Sequence, residues 1–370
     1  MSKIMLKIAT GLITTLFISC FSFSVFAANK IVSIGNAFTH QGLLASLGVE
    51  YNPAILSYTL ANGYIIEIEN DLNGLNGRTQ QQDVLAVVCQ TSSNCAPALE
   101  ESAAKDLLII AVTASSTLLS EGHNIWRMAP SNKLQAKAIY AEMKAEIGQE
   151  RFAVVYEPEN YGLDLYVTVM GDYATNTVSQ TAGPELVGAI PLHDNINLDA
   201  SQKSVKADTV KTLLGRFADT GVQAVAYLGF DDGFKALTDE SVGGNPDVVE
   251  YWYTGDGVHA SSVKAFPNLR LVEPYYPSNS DEHVPANYYY AYDTGTLLLK
   301  TIAKLAESGL GTDPERTAFM AIAKTIQLTA DEAKTGQKAF TTAEQQGVFT
   351  VHVYDSLGSP QLKQVTINAH

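Results

Sequence analysis

The chain has 370 residues, 46% hydrophobic and 17% charged, with 39 acidic against 24 basic residues and a formal net charge of −15. Such acidity disfavours nucleic acid and anionic membrane surfaces as partners, and a chain of this length is better divided into two lobes than packed around one core. The 7 histidines are scattered, with no HxxxH and no Cys/His cluster, so neither a metal nor another cofactor is expected.

Residues 1–28 carry Lys3 and Lys7, then an apolar run from Ile8 to Phe26 diluted by Thr14, Thr15, Ser19, Ser22 and Ser24, and end in Val25-Phe26-Ala27-Ala28. This pattern predicts a cleaved secretory signal and an exported protein. A lipidated Cys20 is the lesser alternative, because Phe17-Ile18-Ser19-Cys20 lacks the leucine usual three residues before such a cysteine. Cys89 and Cys95 then remain in an oxidising compartment, where a nearby pair is expected to form a disulfide.

Lys30 to Ile34 predicts a first strand, and Tyr51 to Asp71 carries apolar residues at helical spacing before a Gly74 to Arg78 turn. The strand Asp83 to Val88 opens into a polar loop, 89–95, and a helix from Ala96 to Lys105. Leu107 to Val112 is an unbroken apolar run, as in a parallel strand buried on both faces, and it ends in Thr113-Ala114-Ser115-Ser116-Thr117. After Trp126 to Ser131 come a helix, Lys133 to Ile147, a strand, Phe152 to Tyr156, and Tyr161-Gly162. The second half repeats the design. Strands Leu186 to Ile190, Ala224 to Leu228 and Val248 to Tyr253 surround the helix Lys203 to Thr220, and the last two end in Gly229-Phe230-Asp231-Asp232 and Thr254-Gly255-Asp256-Gly257. A long helix, Tyr288 to Leu305, and strands Gly347 to Tyr354 and Gln361 to Ile367 close the chain.

In an open parallel sheet, loops beyond the carboxyl ends of strands line the binding crevice, and the helix N-termini behind them attract a carboxylate. Loops 91–93 and 113–117 suit that role, and equally suit helix capping. A Gly-x-Ser-x-Gly elbow, a Gly-x-Gly-x-x-Gly fingerprint and a spaced Cys/His pair are all missing, so neither an enzyme nor a catalytic residue is expected.

The run of strand, Thr-Ala-Ser-Ser-Thr, Ile-Trp-Arg-Met-Ala-Pro-Ser, helix, strand and Glu-Asn-Tyr-Gly resembles the leucine/isoleucine/valine-binding protein family, from about Asp83 to Val365. The resemblance implies an α/β type I periplasmic binding protein: two doubly wound parallel-sheet lobes joined by a three-strand hinge. It implies a first lobe of residues 29–147 and 277–334 and a second of 148–276 and 335–370. Arg78 lies too close to the Asp83 strand for the family's second strand and helix, so the first lobe is expected to lack that edge unit. By position, the resemblance assigns Ser92, Ser115 and the Thr113 main chain to a ligand's carboxylate and amine. It assigns Tyr161 to the ring closing from the second lobe, Phe230 to a second aromatic without a hydroxyl, and Asp256 to the ligand's ammonium. Each keeps a plainer alternative: Asp256 as an Asp-Gly turn residue, Tyr161 as packing, Ser92 as a helix cap. The implied function is capture of an amino acid or similar solute for an ABC permease. Ligand sensing through a membrane partner is the alternative, favoured modestly by the missing edge unit.

Overall fold

The computed structural model describes residues 29–60, 63–69, 83–92, 94–96, 107–117, 119, 125–158, 160–179, 183–192, 200–240, 244–259, 268–274, 286–309, 316–329, 331–335, 346–354 and 361–368. The expected signal, the 74–78 turn, the helix over 96–105 beyond Ala96, and the second and third interlobe crossings lie outside the described residues. In chain order the elements are β1 (Lys30–Ile34), α1 (Ala37–Ser46), β2 (Ser57–Thr59), β3 (Ile65–Glu69), β4 (Val84–Cys89), β5 (Leu108–Ala111), β6 (Ile125–Arg127) and α2 (Asn132–Ile147). There follow β7 (Arg151–Tyr156), α3 (Asn160–Val178), β8 (Glu185–Pro191), α4 (Ala200–Thr220), β9 (Ala224–Leu228), α5 (Asp231–Thr238), β10 (Tyr251–Gly255), β11 (Leu269–Pro274), α6 (Ala286–Glu307), α7 (Arg316–Ala323), β12 (Gln346–Val353) and β13 (Gln361–Asn368).

These strands form two sheets. The first is ordered β2-β3-β1-β4-β5-β6, parallel except for β2, and the second β13-β12-β11-β10-β9-β7-β8, parallel except for β12, which runs antiparallel to both β11 and β13. Strands β4, β5 and β9 are buried along their whole lengths, which is why their sequences show no polar alternation. Each sheet has a core on both faces, and α1, α6 and α7 pack into the first lobe's larger one. Helices α1 and α6 approach at backbone distance: a Cβ on Gly42 would lie 2.1 Å from the Tyr288 carbonyl oxygen, and one on Gly295 would strike Ser46.

Two expectations need correction. The edge strand expected to be missing is present as β3, paired in parallel with β1 and preceded by the short antiparallel β2. The stretch read as a helix over Tyr51 to Asp71 is therefore a hairpin. Its buried apolar residues, Tyr58, Leu60, Tyr64, Ile66 and Ile68, alternate with period two. Asn62-Gly63 between them is a hairpin-turn signal; Gly63 has φ +80°, and Leu60 N donates to Tyr64 O at 2.8 Å. The other correction concerns the first lobe's boundary at 147. Leu134, Ile139 and Met143 of α2 are fully buried in the second lobe's core with Phe152 and Val154, so the first crossing falls before Asn132.

Candidate functional site

On the second lobe, three of the expected residues converge. Tyr161 stands in the first turn of α3, Phe230 is the N-cap residue of α5, and Asp256 follows β10. The Tyr161 hydroxyl lies 2.7 Å from Asp256 Oδ1 and accepts from Gly257 N at 3.1 Å, while its ring centroid is 5.2 Å from that of Phe230. The loop must be glycine on both sides of Asp256: a Cβ on Gly255 would meet the Tyr161 oxygen at 2.5 Å, and one on Gly257 its ring at 2.6 Å. Phe230 remains 43% exposed, an aromatic face without a protein cover.

A residue that sequence reasoning missed completes this wall. Gln135, buried on α2, donates through Nε2 to Asp256 Oδ1 and to Val272 O, both at 2.8 Å. Burial is the main cause of a raised Asp256 pKa; Gln135 and Tyr161 pull it back down, and the charge of Glu273 raises it further. Burial, with the neighbouring Asp256 charge, pushes Tyr161 well above the ordinary tyrosine value, so it stays a neutral phenol. Asp256 thus already accepts two hydrogen bonds, both on Oδ1.

Glu157, another unpredicted residue, is buried at the end of β7 and organises the Phe230 loop. It accepts from Phe230 N at 3.2 Å and takes a short bond from the Tyr227 hydroxyl, whose oxygen also lies 2.9 Å from Phe230 O. A Cβ on Gly229 or Gly233 would collide with Glu157, so these glycines make room for the carboxylate. Its one sequence signal was an acid directly after a buried strand.

On the first lobe, Ser92 Oγ accepts from Ser116 N at 3.1 Å, joining the two hydroxyl-rich loops. Thr113 spends both its N–H, at 3.0 Å, and its hydroxyl, at 3.1 Å, on Gln90 O. The donors of Thr113 are therefore used within the protein, and of its main chain these bonds leave the carbonyl uncommitted. Ser115 O accepts from Asn132 N at 2.7 Å, leaving its half-buried hydroxyl outside that bond. Buried Arg127 clasps the same loop, donating to Ala114 O at 2.7 Å and Ser116 O at 2.6 Å. A disulfide joins Cys89 to Cys95, with Cα atoms 5.5 Å apart, and closes the loop that bears Ser92.

The two walls meet at Asp164, three residues after Tyr161 on α3. It accepts from Thr117 N at 2.9 Å, Thr117 Oγ1 at 2.7 Å and Asn132 Nδ2 at 3.1 Å. The loop holding Ser115 and the helical turn holding Tyr161 are thus joined through Asp164. Among the described residues there is no group of three or more potential metal ligands, and no helix is long and apolar enough to cross a membrane.

No family model and no curated protein matches the chain. Solved structures do. A substrate-binding protein of an ABC transporter from Desulfitobacterium hafniense, in complex with Leu, is 15% identical; the match covers 92% of this chain and 97% of that one, with a TM-score of 0.61. A leucine-binding protein from Thermotoga maritima is 15% identical over 92% of this chain and 99% of its own, with a TM-score of 0.60. A solute-binding protein from R. palustris, in complex with 4-hydroxybenzoate, is 12% identical over 92% and 97%, with a TM-score of 0.63. The fold is that of the type I periplasmic binding proteins.

Proposed function

We propose that the protein is a periplasmic solute receptor, exported by residues 1–28, that closes its lobes over an amino acid or similar small solute and delivers it to an ABC permease. One observation carries this reading: Tyr161, Phe230 and Asp256 converge on one lobe, and Asp164 ties the same helical turn to the Ser115 loop of the other. A solute between these walls meets hydroxyls on one side and an aromatic face with a carboxylate on the other. A zwitterion suits that arrangement, its ammonium directed to Asp256 Oδ2 and its carboxylate to the first lobe. Contacts on both lobes would favour the closed form through the solute's differential affinity for it. The fold relatives support the class, since two are in complex with carboxylate-bearing solutes, Leu and 4-hydroxybenzoate. Sensing through a membrane partner loses its argument, because the edge unit whose absence favoured it is represented by β3.

A thermal-shift screen of the mature protein against the twenty L-amino acids, benzoate and 4-hydroxybenzoate tests the reading. A binder at 100 times its dissociation constant adds about 2.7 kcal/mol of stability. Silence across the whole set would sink it.

A further inference from the structure

We infer that the side-chain amide of Gln90 recognises the solute on the first lobe, donating from Nε2 to a carboxylate oxygen at the crevice between β1 and β4. The inference rests on the solute-receptor reading and adds a residue and a chemical requirement to it.

The place follows from topology. From β1 the chain moves outward to β3 and then returns to β4 on the opposite side of β1. The strand order reverses between β1 and β4, and ligands of open α/β sheets bind in the crevice beyond the strand ends at such a point. Gln90 is the first residue after β4, and Asn36 lies two residues after β1.

The orientation follows from hydrogen bonds. Gln90 N donates to Ile34 O at 3.1 Å, and Gln90 O accepts from Thr113, so the backbone is held from both neighbouring strands. Its side-chain Oε1 accepts from Asn36 N at 2.7 Å. Asn36 is itself fixed: its Oδ1 caps α1 by accepting from Thr39 N at 3.1 Å and also accepts from Asn287 Nδ2 at 3.0 Å. With the oxygen committed to Asn36, the amide cannot flip without losing that bond, and Nε2 must face away from it. Gly35 makes the arrangement possible, since a Cβ there would stand 3.1 Å from Gln90 Oε1 and 3.0 Å from Thr39.

The chemistry follows from what is left over. The Thr113 donors are spent on Gln90 O, and Ser92 Oγ is engaged by Ser116 N. No protein acceptor lies within hydrogen-bonding reach of Gln90 Nε2 among the described residues, and the side chain is only half buried. A hydroxyl can turn to meet a donor or an acceptor, whereas this amide offers donors alone. It therefore selects an oxygen acceptor, and a carboxylate gains most from it.

Two variants test this, measured by calorimetry with whichever amino acid or benzoate binds the wild type. Gln90→Glu keeps an oxygen for Asn36 N and puts negative charge where the donor stood; affinity should fall on the order of a hundredfold, with the unliganded melting temperature little changed. Gln90→Met keeps the length without the donor and should cost about tenfold. Should the Glu variant fail to fold, the Met variant decides alone. Unchanged affinity in the variants that fold overturns the Gln90 assignment while leaving the receptor reading intact. Tighter binding to Gln90→Glu assigns the position to a solute donor and overturns the carboxylate. No binder to the wild type overturns the receptor reading, and this inference with it.

Discussion

The two walls of the proposed site are built by different means. On the first lobe, neutral hydroxyls and amides sit on loops fixed from behind, by the Cys89–Cys95 disulfide and by Arg127 reaching Ala114 O and Ser116 O. On the second lobe, carboxylates do the fixing: Glu157 holds the Phe230 loop, and Asp256 is held by Tyr161 and Gln135. The first wall is therefore made of neutral polar groups and the second of an aromatic face with an acid. If the proposed site is right, it discriminates by the polarity of its two ends, because each wall would leave a polar group unpaired against the wrong end of a solute.

The lobes should also respond oppositely to acid, which gives the largest expected effect. His40 on α1 is fully buried, and desolvation lowers its pKa from 6.5 to about 4. Its neutral form is the folded one, so stability is complete above pH 6.5 and declines as pH falls from 6.5 to about 4, by about 3 kcal/mol in all. Asp256 has the opposite sign. Its raised pKa means that the folded state binds this proton more readily than the unfolded chain, so protonation in acid relieves a penalty. Hydrogen exchange across this window should show the first lobe loosening before the second, and His40→Leu should flatten the dependence. Uniform loosening of both lobes in the wild type would break the contrast.

The clasp on the first wall comes next. Arg127→Met leaves two loop carbonyls without their charged donor and should cost about 3 kcal/mol, read as a lower chemical-denaturation midpoint. A similar loss of solute affinity would follow from the displaced Ser115 loop. A midpoint unchanged from wild type would show that the loop holds its shape without Arg127.

Reduction of the disulfide should be milder, about 2 kcal/mol for a loop this short in the chain-entropy picture. Its clearer readout is exchange of the Ser116 amide, which depends on Ser92 staying in place. Protection of that amide equal before and after reduction would mean the loop is organised by Thr113 and Arg127 alone.

The smallest effect belongs to the second wall. Asp256→Asn keeps the shape and should weaken an amine-bearing solute at least tenfold, about 1.4 kcal/mol, with benzoate affinity little changed. Wild-type affinity for the amine should fall as pH drops through the raised pKa of Asp256, since the ammonium needs the ionised acid. Equal losses for amine and benzoate would mark Asp256 as a support for Tyr161 and leave the ammonium unassigned.

Composition and pattern by themselves determined the class of fold, because a parallel strand buried on both faces must be apolar throughout, as Leu107 to Val112 and Ala224 to Leu228 are. Tyr161, Phe230 and Asp256 were singled out by the resemblance rather than by pattern, and the structure brings the three side chains together on one lobe. The hairpin over residues 57–69 was written in the sequence too, in its two-residue alternation and Asn62-Gly63, but an apolar run of that kind also supports a helix until it has a neighbour to pair with. Pairing with β1 decided it. Tertiary structure alone placed Gln135 beside Asp256, 121 residues apart in the chain, and Asn36 beside Gln90, 54 apart. A polar side chain carries no local sign of which distant partner will satisfy it. Burial creates that requirement, and only the folded chain shows how it is met.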